Sequence, residues 1–453
     1  MTTVTEPAED APPIVDEPAT ESSAAGPTFG RFTGWRQLLL LVGSFVLVVG
    51  ISSVLAWRIS PAPDEDSHKF MITHQANNLS PVGWQDMEWG IDRGHSYYLY
   101  SSIPYYIYAP FERLQEAIGP VDSAARPDRV ITRIGGALVF GATQLALTLL
   151  IVRRMRKDFS NEMVILVALA ANLLPQLRYQ HAYLNTDSFT ILAATACFAL
   201  ALRLWQRSGV GLVDALLVGG AFAAVAHGRY NGFAGAAVLA GVFGVCVFRR
   251  SEGVRVRLRL IGLALAIPVL LAAPVHLAIY NELRNDHVIA STDHDQMARS
   301  TFSARIPATP TLDDQISAWF DDAGFTWQST FSSIQGYSEL AEPWIWVFAL
   351  LCVAGTAGLV LRRPELLTGS GRAIGLLAVG CTLGTWLLMV AWPYHLGRFL
   401  LPAAATALAA IILGSGVLLQ RFVRARGFVI AVWVWVALFG LLDVMAIVAT
   451  APA

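Results

Sequence analysis

Charge is the scarcest property of this sequence. Only 14% of its 453 residues are Asp, Glu, Lys or Arg, where a soluble domain carries about 25%. Hydrophobic residues make up 55%, and the mean hydropathy is +0.52. Lipid is therefore the main solvent. Lysine is almost missing, since Lys69 and Lys157 stand against thirty arginines, a bias of GC-rich bacterial coding sequence. The formal net charge of −1 argues against a nucleic-acid partner. Cysteine is equally sparse. Cys197, Cys246, Cys352 and Cys381 all fall in apolar runs and read as small core residues, not disulfides or metal ligands. No HExxH pair, Walker loop or GxSxG elbow occurs in a suitable context, so zinc-protease, nucleotide and serine-hydrolase chemistry find no support. No internal repeat is visible, which weakens a transporter built from duplicated halves.

Residues 1–30 contain no aromatic before Phe29 and are rich in Ala, Pro, Glu, Thr and Ser. Such a stretch cannot bury enough surface to fold and is expected to be a disordered cytoplasmic tail. It lacks the basic start of a secretory signal. The remainder, 31–453, reads as one transmembrane domain.

A membrane helix needs about 20 predominantly apolar residues. Eleven candidates run at 37–57, 134–152, 162–177, 188–204, 210–226, 232–248, 258–280, 343–361, 373–391, 399–420 and 427–449. The third and fourth are short. Basic residues flank alternate ends: Arg31 and Arg36, then Arg153 to Lys157, Arg203 and Arg207, Arg249 to Arg259, Arg362 to Arg372, and Arg421 to Arg426. With eleven spans all six clusters fall on one side. The positive-inside rule then puts the N-terminus in the cytoplasm and the C-terminus outside. The outer face receives two long loops, 58–133 and 281–342, and loops held by a rigid bundle are where function concentrates. The tyrosine-rich stretch Ser96–Leu114 reads as a helix in the outer interface, where tyrosine is favoured. Residues 291–315 look mobile, and the aromatic stretch 316–337 suggests a second interfacial element.

Four outer motifs carry the chemistry. Asp64, Glu65 and Asp66 precede His68 just beyond the first span, and crowded carboxylates raise a pKa or call for a cation. Asn185 and Asp187 open the fourth span, where either can also cap the helix. Arg229 stands beside His227 and Tyr230, and Arg398 beside His395 and Phe399. Arginine forks to phosphate and keeps its proton. Snorkelling explains many terminal arginines, but these two lie on the face that otherwise avoids basic residues in short loops. Arg178 is a weaker third candidate.

The Asp-Glu pair after the first span resembles the first-loop acidic motif of the GT-C superfamily of membrane glycosyltransferases. The ordered elements Pro63-Asp64-Glu65-Asp66-Ser67-His68, Asn185-Thr186-Asp187 and Gly397-Arg398-Phe399-Leu400-Leu401-Pro402 resemble a bacterial family of membrane proteins of unknown function. Phe399 stands where that family has tyrosine. The resemblance covers most of 35–450. It implies an all-α GT-C-like bundle with two long outer loops, acting on a polyprenyl-phosphate-linked sugar and a glycan or glycolipid acceptor.

The expected reaction is inverting sugar transfer in the bacterial plasma membrane, on its extracytoplasmic face. Asp64 is the expected base and Glu65 its orienting partner. Arg229, Arg398 and His68 are expected at the donor phosphate, and Asp187, Asn185, Tyr230 and His395 at the substrate. Metal use stays open, with Asp64 and Asp187 as the ligands if a divalent cation takes part. Two rivals remain. A flippase or transporter of a lipid-linked substrate would place ionisable groups at mid-membrane, where only Asp214, His276 and Asp443 qualify. A polymerase or ligase of lipid-diphosphate-linked glycans would use similar arginines.

Overall fold

The computed structural model describes residues 34–59, 65–78, 101–119, 129–251, 253–285, 311–322, 338–361, 367–391, 397–423 and 426–449. The tail 1–30, Asp64 and His395 lie outside the described residues, as do 79–100, 120–128, 286–310 and 323–337 of the two long loops.

Every regular element among the described residues is a helix. In chain order these are α1 (Trp35–Arg58), α2 (Glu65–Asn77), α3 (Ile103–Ile118), α4 (Val130–Met155), α5 (Asn161–Asn172), α6 (Pro175–Ala182), α7 (Asp187–Gln206) and α8 (Leu212–His227). They continue with α9 (Phe233–Arg250), α10 (Val254–Asn285), α11 (Leu312–Asp321), α12 (Ser338–Val360), α13 (Gly369–Leu388), α14 (Leu401–Val423) and α15 (Gly427–Ala449). Among the described residues nine helices are long and apolar enough to cross a bilayer, and α5 and α8 are shorter apolar helices. The two short candidates are therefore the third and fifth, not the third and fourth. The fourth, α7, runs a full 20 residues.

The third candidate is short because its helix breaks. α5 stops at Asn172, and α6 restarts with Pro175 in its first turn. Proline there loses nothing, because the first helical N–H groups have no partner within the helix. The whole stretch from Leu173 to Ser188 is buried. Irregular backbone is tolerated at membrane depth only where protein encloses it.

α14 is the central post, and its spanning stretch is buried throughout. A helix that is apolar all round belongs inside a bundle. Its small residues let neighbours approach closely. At Gly414 and Gly358 the backbones of α14 and α12 come so near that a Cβ on either would collide with the other helix.

The basic ends gather at one end of the bundle. The Gln206 amide donates to the Arg154 carbonyl and to Ser370 Oγ, and Arg250 donates to the carbonyls of Leu204 and Arg207. Arg156 lies over the Phe428 ring, and Asn161 donates to Gln37. Asp214, a candidate mid-membrane charge, belongs here too. It pairs with Arg203 and Arg207 and closes the first turn of α8 by accepting from Gly211 N–H.

Candidate active site

The first long loop enters the opposite end through α2. Glu65, in its first turn, is buried against Arg133 of α4. Arg133 Nε donates to Glu65 Oε1 at 2.6 Å, and its Nη2 donates to Oε2. Arg133 Nη1 also donates to the Ile59 carbonyl at 3.0 Å, which fastens the end of α1. Two charges out of water are tolerated in such a pair because each supplies the other's missing solvation. Glu65 Oε1 further accepts from Leu184 N–H at 3.3 Å. The start of the first loop is thereby tied to the turn that carries Asn185 and Asp187.

Within the stretch expected to be an interfacial helix lies α3, and two of its three tyrosines are turned into the protein. Tyr105 and Tyr108 are fully buried. Tyr105 shares a 2.9 Å hydrogen bond with His68 Nδ1, and Tyr108 donates to the Asn185 carbonyl at 3.1 Å. Burial raises the Tyr108 phenol above its ordinary pKa, so the hydroxyl keeps the proton it donates. With Met71, Ile72, Phe140 and Leu184 these rings form a separate apolar cluster that holds α2 and α3 to the bundle. Glu112 strengthens the same contact by accepting from Thr73 and Thr132.

The turn between α6 and α7 has an internal frame of its own. Asn185 Nδ2 donates to the carbonyls of Gln180 and Tyr183, and Asn185 Oδ1 accepts from Ser188 N–H. Thr186 is the N-cap position of α7, and Asn185, one residue before it, supplies the side-chain acceptor for the Ser188 amide of the first turn. That leaves Asp187 for another task.

Asp187 stands between the two expected phosphate arginines. Arg229 Nη1 lies 3.1 Å from Asp187 Oδ1, and Arg398 Nε lies 3.8 Å from Oδ2. Arg229 and Asp187 are 5% and 2% exposed, so this pairing is shielded from water. Neither carboxylate oxygen accepts an aligned hydrogen bond, so the attraction is ionic and not a locked fork. Arg229 is steadied by Thr186, whose Oγ1 accepts from its Nε at 3.0 Å, and by Thr190, whose Oγ1 accepts from its backbone N–H. Arg398 Nη1 donates to the Tyr183 hydroxyl at 3.1 Å. The aromatic residues that follow the two arginines, Tyr230 and Phe399, also meet, with ring centroids 6.3 Å apart. Three sequence motifs, at 183–188, 229–231 and 398–402, converge here. Glu65 is linked to the same turn.

Arg178 is not part of this group. It is fully buried, donates to the Val48 carbonyl on α1, and has Asp443 of α15 as the opposite charge acting on it. His276 Nε2 reaches the Ala226 carbonyl at the end of α8, 2.8 Å away, and its ring stacks on His227. Because a carbonyl only accepts, His276 Nε2 is the donor there. No group of three or more His, Cys, Asp or Glu side chains comes together among the described residues. Asp187 faces two guanidinium groups, which occupy the surroundings a divalent cation would need, so it does not fit a metal ligand as it stands.

Sequence reasoning missed Arg133 and Tyr183. Arg133 had a signal, since it is another arginine at the end of a span away from the basic clusters. Tyr183 sits inside a motif whose other members drew the attention.

No protein-family model and no curated protein matches this sequence. Solved structures do match by shape. The ArnT structure from Cupriavidus metallidurans bound to undecaprenyl phosphate superposes with a TM-score of 0.53 at 12% identity, over 91% of this chain and 76% of that one. The apo form of the same enzyme gives 0.53 at 11% identity, with the same coverage. The helical bundle, the first-loop helices packed on one end and these likenesses agree: the chain shares the fold of the ArnT structures.

Proposed function

We propose that this protein transfers a sugar from a polyprenyl-phosphate donor to a hydroxyl of a cell-envelope glycan or glycolipid, on the extracytoplasmic face of a bacterial plasma membrane. The observation that carries the reading is the meeting of Arg229 and Arg398 at Asp187, on the turn that Glu65 also reaches. The neighbouring ArnT structure holds undecaprenyl phosphate, a lipid of the proposed donor class.

In the proposed reaction the acceptor oxygen attacks the anomeric carbon as the bond from that carbon to the phosphate oxygen breaks. Asp64 takes the acceptor proton. Attack opposite the leaving group inverts the anomeric centre. The phosphate leaves on the lipid with added negative charge, and Arg229 and Arg398 stabilise it where that charge develops. Guanidinium groups suit this task because they stay charged even where, as at Arg229, they are buried. Glu65 acts as a positioning residue, held by Arg133, for the segment that begins with Asp64. His68 and His395 assist at the phosphate and the acceptor, and Tyr230 contacts substrate beside Arg229.

The test is to incubate purified wild type and Asp64→Asn with radiolabelled polyprenyl-phosphate sugars and envelope acceptors. Transfer by wild type alone supports both the reaction and the base. Wild-type rates from folded Asp64→Asn would remove Asp64 from the role. Absence of transfer with every donor would favour the transporter or lipid-diphosphate readings.

A further inference from the structure

Both ends of the first long loop are tied to the turns that meet at the Arg229–Asp187 pair. Its departure is fixed by Glu65, which accepts from the Leu184 amide in the turn before Asp187. Its return is fixed by Ser101, just ahead of α3. Ser101 Oγ and His227 Nδ1 share a 2.8 Å hydrogen bond, and both residues are buried. Ser101 Oγ also accepts from Ile103 N–H at 3.2 Å, at the start of α3. One hydroxyl thus registers the first turn of α3 against the end of α8. His227 is the last residue of α8, two positions before Arg229. Between them Gly228 lies so close to α7 that a Cβ there would come within 2.9 Å of Thr190 Oγ1, and Arg229 N–H donates to the same hydroxyl. The backbone that leads into Arg229 is therefore gripped by α7 on one side and by the return of the first loop on the other.

We infer that Ser101 and His227 are positioning residues for the phosphate-binding arginine: their hydrogen bond couples the docking of the first long loop to the aim of Arg229. The inference rests on the proposed polyprenyl-phosphate reading and adds two residues to its machinery. A plain fastening of α8 does not require this bond, because α10 already supplies one. His276 Nε2 donates to the Ala226 carbonyl at 2.8 Å, and the His276 ring stacks on His227. What the Ser101 contact adds is a link between the loop and the turn. Such a link matters at a site that works by charge, since a donor stabilises a phosphate only when it is aimed at the oxygen, and a displacement of about 1 Å in a positioning group can cost a large factor in rate.

The experiment measures binding of farnesyl phosphate and of farnesol to full-length protein in detergent. The two probes differ only in the phosphate, so the ratio of their affinities reports on the arginines and not on the prenyl contacts. Wild type should bind farnesyl phosphate the more tightly. Ser101→Ala should narrow that ratio about three- to tenfold, the scale of one buried hydrogen bond passed on to binding, with the farnesol affinity unchanged. His227→Leu breaks the same bond from its other side and serves if Ser101→Ala does not fold. His227→Asn places an amide where Nδ1 stands and should restore most of the ratio. The double variant Ser101→Ala/His227→Leu should fall no further than the worse single one, since both remove one interaction. An unchanged ratio in a folded variant, or equal weakening of both probes, overturns the inference while leaving the phosphate site intact. Wild type that binds farnesyl phosphate no better than farnesol overturns the polyprenyl-phosphate reading and this inference together.

Discussion

Arg133 holds Glu65 through two hydrogen bonds in the buried part of the bundle, with Nε of one 2.6 Å from Oε1 of the other. This pair joins α2 to α4 and, through the Leu184 amide, to the turn before α7. Glu65→Gln would leave the Arg133 charge buried without its partner. Loss of about 3–5 kcal/mol is expected, read as a lower unfolding midpoint in detergent. The double variant Glu65→Gln/Arg133→Met should recover part of it. A Glu65→Gln protein as stable as wild type would show that the pair does not hold the first loop.

Arg229 bridges Asp187 and Thr186 with different nitrogens of one guanidinium. A lysine keeps the charge but has a single ammonium and cannot span both. Arg229→Lys should fold normally and lose about 100-fold in turnover, the scale for removing a donor aimed at developing charge. Transfer assays at saturating donor would show this. Near-normal turnover would reduce Arg229 to a structural role.

The α12–α14 contact rests on the absence of side chains at Gly358 and Gly414. Gly414→Ala should force the two helices apart and cost about 1–3 kcal/mol, the usual scale of overpacking. Gly262→Ala is the control, because a Cβ there meets nothing within 4 Å. Thermal unfolding of both variants decides the matter; equal midpoints would mean that the bundle absorbs the added methyl.

α11 is docked beside Arg398. The Trp319 indole donates to the Trp386 carbonyl at 3.0 Å and packs with Met389, Phe399 and Leu400. Trp319→Ala should raise protease cleavage within 312–321 and lower transfer, with little change in the global unfolding midpoint. Leu312→Ala should change neither, since Leu312 is 65% exposed. Unaltered cleavage in Trp319→Ala would mean that other contacts hold α11.

Orientation in the membrane is open to a direct check. Lys157→Cys lies at the basic end of the bundle, and a cysteine appended after Ala453 follows a helix whose Ile447 carbonyl accepts from Arg58 at the other end. An impermeant thiol reagent applied to intact cells should label the appended cysteine and spare Lys157→Cys. The reverse pattern would invert the assigned topology.

The sequence by itself determined the bilayer as solvent, the candidate spans and the segregation of basic loops, because apolar run length and arginine placement are local properties of the chain. It also marked Asp187, Arg229 and Arg398, since arginines on the outer side of a membrane protein stand out against the positive-inside pattern. Their meeting was decided only by tertiary structure. Asp187 and Arg398 are 211 positions apart, and no periodicity encodes which helix ends become neighbours. The same holds for Glu65 and Arg133, whose pairing turns one of a run of carboxylates into a buried anchor. Two readings shifted for the same reason. The tyrosines of α3 matched a headgroup belt by composition, but packing against α2 and α4 buried Tyr105 and Tyr108. Asn185 and Asp187 were equivalent as caps in sequence, and the geometry of one turn put Thr186 at the cap position, gave the Ser188 amide to Asn185 and left Asp187 to the arginines.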